Sequence, residues 1–182
     1  AGIGYTSFRI RGTDPTRINV TVNGIPLNDS ESQGVWWVNM PDFASSIENI
    51  QIQRGVGTST NGAGSFGGSV NLQTEKLNKQ SYLLLNNTIG SYNTMKNSLK
   101  FGTGLISNQF TFDGRISNIN SDGYIDRAAA NLKSIFLQGS YFGSDNVIKG
   151  LVFTGNERTY QAWFGVPFNY LDDNRTFNPY TY

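Results

Sequence analysis

The chain has neither cysteine nor histidine among its 182 residues. Lack of cysteine excludes disulfides and thiolate metal sites, and leaves the redox compartment unmarked. Lack of histidine removes imidazole acid–base catalysis, imidazole metal ligation and a histidine haem ligand. Charge is also scarce. Only 15% of residues are charged, against roughly 25% in soluble domains. The net charge is +1, so no one-signed field points to nucleic acid. No run approaches the roughly 18 apolar residues of a membrane helix. Mean hydropathy is −0.36, which ordinarily marks a water-soluble chain. Membrane β-barrels escape that test, because only alternate residues of each strand face lipid. No signal-peptide pattern is visible, and the sequence reads as starting inside a domain or after processing.

What is present is glycine at the ends of short alternating segments. Arg17 to Asn23 places Ile18, Val20 and Val22 on one face and Asn19, Thr21 and Asn23 on the other, the period of a strand. Asn23-Gly24 supplies the positive φ angles of a tight hairpin turn. Met40 to Ser46 reads as a short helix, with Pro41 at its first position and Asp42 complementing its positive end. Glu48 to Arg54 is expected as a second strand with Ile50 and Ile52 on its buried face. Gly55 to Gly68 is a loop, and Ser69 to Thr74 a third strand. Gly62 to Gly67 matches G-x-G-x-x-G, but a strand follows it rather than the helix that dinucleotide binding requires.

From about Gln80 the pattern changes to longer alternating segments. Met95, Leu99, Phe101 and Leu105 alternate with Lys96, Ser98, Lys100 and Gly102. Phe110, Phe112 and Ile116 alternate with Thr111, Asp113, Arg115 and Ser117. Ile135, Leu137 and Tyr141 alternate with Ser134, Gln138 and Ser140, and Phe136 interrupts that polar face. Tyr82 to Ile89 and Val147 to Thr154 are further strands. Segments of about ten residues, with short turns at one end and mostly longer connections at the other, fit a membrane barrel better than a soluble sandwich. In that reading Lys96, Lys100, Asp113 and Arg115 face the lumen, and Leu99, Phe101, Phe110 and Phe112 face lipid.

Four glycine-centred motifs then carry a family resemblance: Ile10-Arg11-Gly12-Thr13-Asp14, Val22-Asn23-Gly24-Ile25-Pro26-Leu27, Gln53-Arg54-Gly55-Val56-Gly57 and Gly64-Ser65-Phe66-Gly67-Gly68-Ser69-Val70-Asn71. In this order, ahead of Gly90-Ser91-Tyr92-Asn93-Thr94 and the alternating strands, they resemble the plug and first barrel strands of TonB-dependent outer-membrane receptors. Gly55 to Gly62 is most similar to receptors from Bacteroidetes, and the signature of SusC-like glycan importers is missing. The resemblance implies a mainly β protein. Residues 1–76 are expected as the C-terminal part of a plug, a small mixed sheet with short helices. Residues 77–182 are expected as about five strands, with extracellular loops, of a 22-stranded antiparallel transmembrane barrel. Five strands cannot close, so the chain is expected to be part of a longer polypeptide.

The implied function is energy-coupled import across the outer membrane of a Gram-negative bacterium, with no covalent chemistry. No catalytic residue, bound cofactor or resident metal is expected; any iron or cobalt arrives with the transported ligand. A ferric siderophore or other metal chelate leads. Haem, cobalamin and glycan import within the family, and a surface β-structural adhesin without transport, are the alternatives. Implied partners are a TonB-type energy-transducing protein, outer-membrane lipid, the small chelate and, as a further candidate, a surface lipoprotein. Candidate ligand contacts are Asn28, Asp29, Glu31, Gln33, Trp36 and Trp37 after the hairpin, where the family places the plug apex, and Tyr160, Trp163, Phe164 and Tyr170 in the aromatic tail. Both tryptophans could equally be packing residues, and the tail an interfacial belt. Arg11 and Arg54 are expected to be buried and paired with carboxylates, which the resemblance locates on the barrel wall; Asp14 and Glu48 are local alternatives.

Overall fold

The computed structural model describes residues 3–56, 66–74, 78–160, 162 and 164–181. Two compact units result. One comprises Ser7–Trp37 and Ala44–Lys76; the other comprises Ala1–Thr6, Val38–Phe43 and Leu77–Tyr182.

The first unit is built on a four-stranded sheet: β1 (Ile18–Val22), β2 (Ile25–Pro26), β3 (Asn49–Arg54) and β4 (Gly68–Gln73), in the order β2-β1-β4-β3. The central strands β1 and β4 run parallel, with Val20 opposite Val70 and Val22 opposite Leu72. Ile18, Val20, Val22, Val70 and Leu72 form the buried core with Ile10. The hairpin between β1 and β2 forms as its sequence requires: Asn23 and Gly24 both have positive φ, 51° and 85°. The Asn23 amide is also a clasp, donating to Thr74 Oγ1 at 2.8 Å and accepting from Thr74 N at 3.0 Å. Entry into β4 needs glycine. Gly68 has φ +152°, and a Cβ there would lie 2.6 Å from the Gln53 carbonyl oxygen. Strand β3 corrects an expectation. Ile50 and Ile52 are 52% and 62% exposed, because β3 is an edge strand whose apolar side nothing in this unit covers.

The second unit contains a five-stranded antiparallel meander in chain order: β5 (Tyr82–Gly90), β6 (Thr94–Gly102), β7 (Phe110–Ser121), β8 (Ala130–Phe142) and β9 (Val147–Thr159). Continuous pairing sets every side chain's facing. One face carries Tyr82, Lys96, Ser98, Lys100, Asp113, Arg115, Ser117, Ser134, Phe136, Gln138 and Phe153. The other carries Leu83, Leu85, Leu99, Phe101, Phe110, Phe112, Ile116, Ile135, Leu137 and Val152. This is the facing read from the alternation. Segment Val38–Phe43 lies on the polar face, where Phe43 meets Phe136 and Phe153 edge-on at centroid distances of 6.3 and 5.1 Å. The aromatic that interrupts the polar pattern of β8 is therefore a packing partner for Phe43.

The expected helix Met40–Ser46 does not form. A 3-10 turn occupies Phe43–Ser46 and another Trp37–Asn39. Asp42 takes a left-handed φ of 55°, which turns its carboxylate toward the strands. Among the described residues no helix is long and apolar enough to cross a membrane, which leaves crossing by strands untouched.

Candidate functional site

Asp42 is a multiply bonded carboxylate of the second unit. Its Oδ1 accepts from Lys96 Nζ at 2.6 Å, and its Oδ2 from Arg115 Nη1 at 2.9 Å and from the Ser117 hydroxyl. Arg115 Nη1 also donates to Ser134 Oγ at 3.2 Å. The Arg115 side chain is 1% exposed and that of Asp42 7%. A buried cation of this kind is tolerated only when paired and hydrogen-bonded. The floor of the site explains how the carboxylate gets there. Ser98, Ser117, Ser134 and Gly155 stand opposite one another across β6 to β9, a trough of small side chains. Pro41 fills its Gly155 end, where a Cβ on residue 155 would lie 2.5 Å from Pro41 Cγ.

The arginines singled out in the sequence are placed differently. Arg11, with φ 51°, sits in the tight turn Ile10 to Thr13 rather than at a strand end, and Arg54 ends β3. Both are exposed, and among the described residues neither has a carboxylate partner. They fall at turns on the surface of the first unit. The buried ion pair seen among the described residues has the opposite polarity: the carboxylate comes from the segment after the hairpin loop, and the cations from the strands.

The loop after β2 divides the proposed contacts. Asn28 is fully used by the backbone. Its Oδ1 accepts from Val20 N at 2.7 Å, and its Nδ2 donates to the carbonyls of Ile18 at 2.9 Å and Gln33 at 2.8 Å. It locks the loop to β1, which corrects its assignment as a ligand contact. Asp29 accepts from Ser32 N at 2.7 Å and Glu31 N at 3.1 Å. These bonds, the Ser32 amide first, hold its pKa below the ordinary 3.8, since they favour the charged form. Gln33, at φ 58°, donates to the Ser30 carbonyl. Glu31 is exposed. Trp36 is 62% exposed, whereas Trp37 is half-buried against Phe8 at 5.4 Å. Only Trp36 of the pair presents a free face.

In the tail, Tyr160 lies under the Arg127 guanidinium at 5.2 Å, Phe164 contacts Tyr180 at 5.5 Å, and Tyr170 stacks on Phe177 at 4.0 Å. Trp163 lies outside the described residues. The anchor that sequence reasoning missed is Asn178, 1% exposed, whose Nδ2 donates to the Asp126 carbonyl at 2.8 Å. One asparagine in an aromatic-rich tail carries no signal of that kind. Two cavities border Tyr160. One of about 350 Å³ is lined by polar groups including Asn93, Asp122, Asn131 and Arg158; one of about 200 Å³ is lined by Arg127, Asn178 and Tyr180. Tyr160 and the connection between β7 and β8 thus share one end of the meander.

A small mixed sheet followed by an up-and-down meander, one face polar and the other apolar, defines the class: a plug-type domain joined to barrel-type strands. Residues 1–69 match the family described as TonB-dependent Receptor Plug Domain. The match covers the first part of the chain, which is similar there to the plug of TonB-dependent receptors. No curated protein sequence matches it. Among solved structures, the copper transporter OprC superposes with a TM-score of 0.64 at 15% identity, covering 81% of this chain and 24% of that one. The siderophore receptor PirA from Acinetobacter baumannii gives 0.59 at 18% identity, covering 82% and 25%. The ferripyoverdine receptor of the outer membrane of Pseudomonas aeruginosa gives 0.57 at 16% identity, covering 76% and 18%. These likenesses are of fold. The chain spans about a quarter or less of the length of these structures.

Proposed function

We propose that this chain forms part of an outer-membrane receptor that imports a metal chelate, with a ferric siderophore as the leading substrate, through a 22-stranded barrel coupled to a TonB-type protein. One observation carries the membrane reading. The apolar face of the meander is uncharged through four successive cross-strand rows, from Phe110–Tyr141–Ile148 to Leu85–Leu99–Ile116–Ile135–Thr154. Leu83, Leu85, Phe112, Ile116 and Val152 are each at least half exposed there. Six residue steps along β7 span about 20 Å, and a strand tilt of roughly 35–45° leaves about 15 Å of this along the membrane normal, more than half of the roughly 25 Å apolar band of outer-membrane barrels. In water such a face would aggregate; in lipid it needs no other cover.

The substrate class rests on the family and on the free face of Trp36, an amphipathic surface suited to an organic chelate. The test is uptake by cells expressing the whole receptor. Radiolabelled ferric siderophore should accumulate, and accumulation should stop when the proton-motive force is collapsed. Accumulation of a labelled oligosaccharide instead would replace the chelate with a glycan. Passive entry, insensitive to the proton-motive force, would overturn energy coupling.

A further inference from the structure

The trough that receives Asp42 extends beyond what Asp42 uses. On the polar face Asn86, Ser98, Ser117 and Ser134 stand opposite one another across β5 to β8. Asp42 takes the middle, with Lys96 on one carboxylate oxygen and Arg115 and Ser117 on the other. Lys100 lies directly opposite Arg115, two residues along β6 from Ser98. It is half-buried, and among the described residues it has no carboxylate partner. Asn86, the floor residue on β5, is exposed. The β5 side of the trough therefore offers a cation and an amide that Asp42 does not engage.

The charges around the trough are unequal. Asp113, in the row next to Arg115, accepts from the Tyr82 hydroxyl at 2.8 Å. Glu157 shares the Lys96 row but stands three strands away. With Asp42 in place three cations face two acids; with Asp42 withdrawn they face Asp113 alone. Arg115 is buried, so the emptied site demands an anion. Its geometry says which anion. Two cations and a hydroxyl already hold a carboxylate there, and the same donors fit another carboxylate. The chain enters and leaves the segment Val38–Phe43 at Trp37 and Ala44, and a pull on either flank draws Asp42 out.

We propose that the trough is a second ligand site, for a chelate that carries carboxylates, and that Asp42 is its resident competitor. When the segment is drawn away, one ligand carboxylate takes the place between Lys96, Arg115 and Ser117, and Lys100 takes a second. Use of the site during import rests on the import reading above; the site itself does not, and its test involves no transport. The probe is tricarballylate, a tricarboxylate that binds metals weakly, added to the purified whole receptor in detergent at constant ionic strength. By calorimetry Asp42→Ala should bind it at least about tenfold more tightly than native receptor, because the native trough is filled and a hydrogen bond to a charged group contributes about that factor. Adding Lys100→Gln should remove about tenfold. Adding Lys133→Gln instead, on the opposite face of β8, should remove nothing. In native receptor the probe should compete with Asp42. At ten times the dissociation constant of the Asp42→Ala variant, amide exchange across Val38–Phe43 should rise about tenfold over sodium chloride of equal ionic strength, as mass action requires. Lys100→Gln should blunt that rise. Equal affinity in native receptor and Asp42→Ala, or no loss with Lys100→Gln, would overturn the site. Equal exchange in tricarballylate and chloride would do the same. If Asp42→Ala does not assemble, exchange in the native receptor decides: acceleration that grows with the probe and weakens in Lys100→Gln supports the site, and its absence refutes it. A receptor that binds the probe in the trough yet accumulates no labelled chelate would instead overturn the import reading.

Discussion

Asp42 Oδ2 lies 2.9 Å from Arg115 Nη1, although the two residues are 73 positions apart and neither is in a helix. Lys96 completes the cluster on the neighbouring strand. Asp42 lies within the stretch that matches the plug family, so a plug-sequence carboxylate is held by cations of the meander. Truncating it leaves Arg115 buried without a counter-ion, a loss of about 3–5 kcal/mol in comparable pairs. Asp42→Ala should therefore release segment Val38–Phe43, read as much faster amide exchange there. Combining it with Arg115→Met should recover most of the loss, because an apolar replacement removes the stranded charge. Unchanged exchange in the single variant would mean that the pair does not hold the segment.

Gly155 tests the same contact without touching charge. Pro41 occupies the space a Cβ would take, so Gly155→Ala should push the segment off the trough. Overpacking of this kind costs about 1–3 kcal/mol. Limited proteolysis near residue 40 should accelerate. Gly150→Ala, where a Cβ meets nothing within 4 Å, should leave the cleavage rate as it was.

Much of this architecture was legible in the sequence because period-2 patterns fix both strand and facing at once. The alternations through Lys96–Phe101, Phe110–Ser117 and Ser134–Tyr141 predict the two faces of the meander. Asn23-Gly24 predicts the hairpin. What stayed hidden depended on partners far along the chain. Phe136 looks like an error in an otherwise polar face until Phe43 is seen upon it. Asp42 looks like a helix-start acid, because nothing local reveals its left-handed φ. Lys96 and Arg115 fall on one face of the alternation, and two cations there call for an acid, but nothing local in the sequence says that Asp42 supplies it. Ile50 and Ile52 alternate as a buried pair would, yet alternation cannot tell whether anything covers them. Asn28 has the composition of a ligand contact, and only its three backbone bonds reveal a loop clamp.

Trp36 and Trp37 should separate in experiment as they do in structure. Trp37 packs on Phe8 and Trp36 is open to solvent. Trp37→Ala should destabilise the first unit by about 1–3 kcal/mol, as partial loss of an aromatic's burial does, with lowered resistance to denaturant. Trp36→Ala should leave stability within about 0.5 kcal/mol but weaken chelate binding in the whole receptor. The reverse assignment of effects would make Trp36 the packing residue and remove the aromatic from the proposed ligand surface.

The loop holding these side chains should also depend on pH through Asp29. Its carboxylate accepts the Ser32 and Glu31 amides, and those bonds place its folded pKa below the ordinary 3.8. A carboxylate with a depressed folded pKa stabilises fully above its unfolded value, and that contribution is lost as pH falls through the folded one. The loop from Asn28 to Gly34 should therefore be indifferent to pH between about 5 and 8 and begin to loosen below about pH 4, first at the Ser32 amide. Asp29→Asn keeps an oxygen acceptor but cannot ionise, so its loop should exchange somewhat faster at neutral pH and show no further change on acidification from this position. Amide exchange at Ser32, followed from about pH 6 to about pH 3 across that carboxylate range and corrected for intrinsic rates, checks both statements. Equal acid sensitivity in the native protein and the Asp29→Asn variant would show that another group governs the loop, and that the Asp29 bonds contribute nothing to holding Trp36 in place.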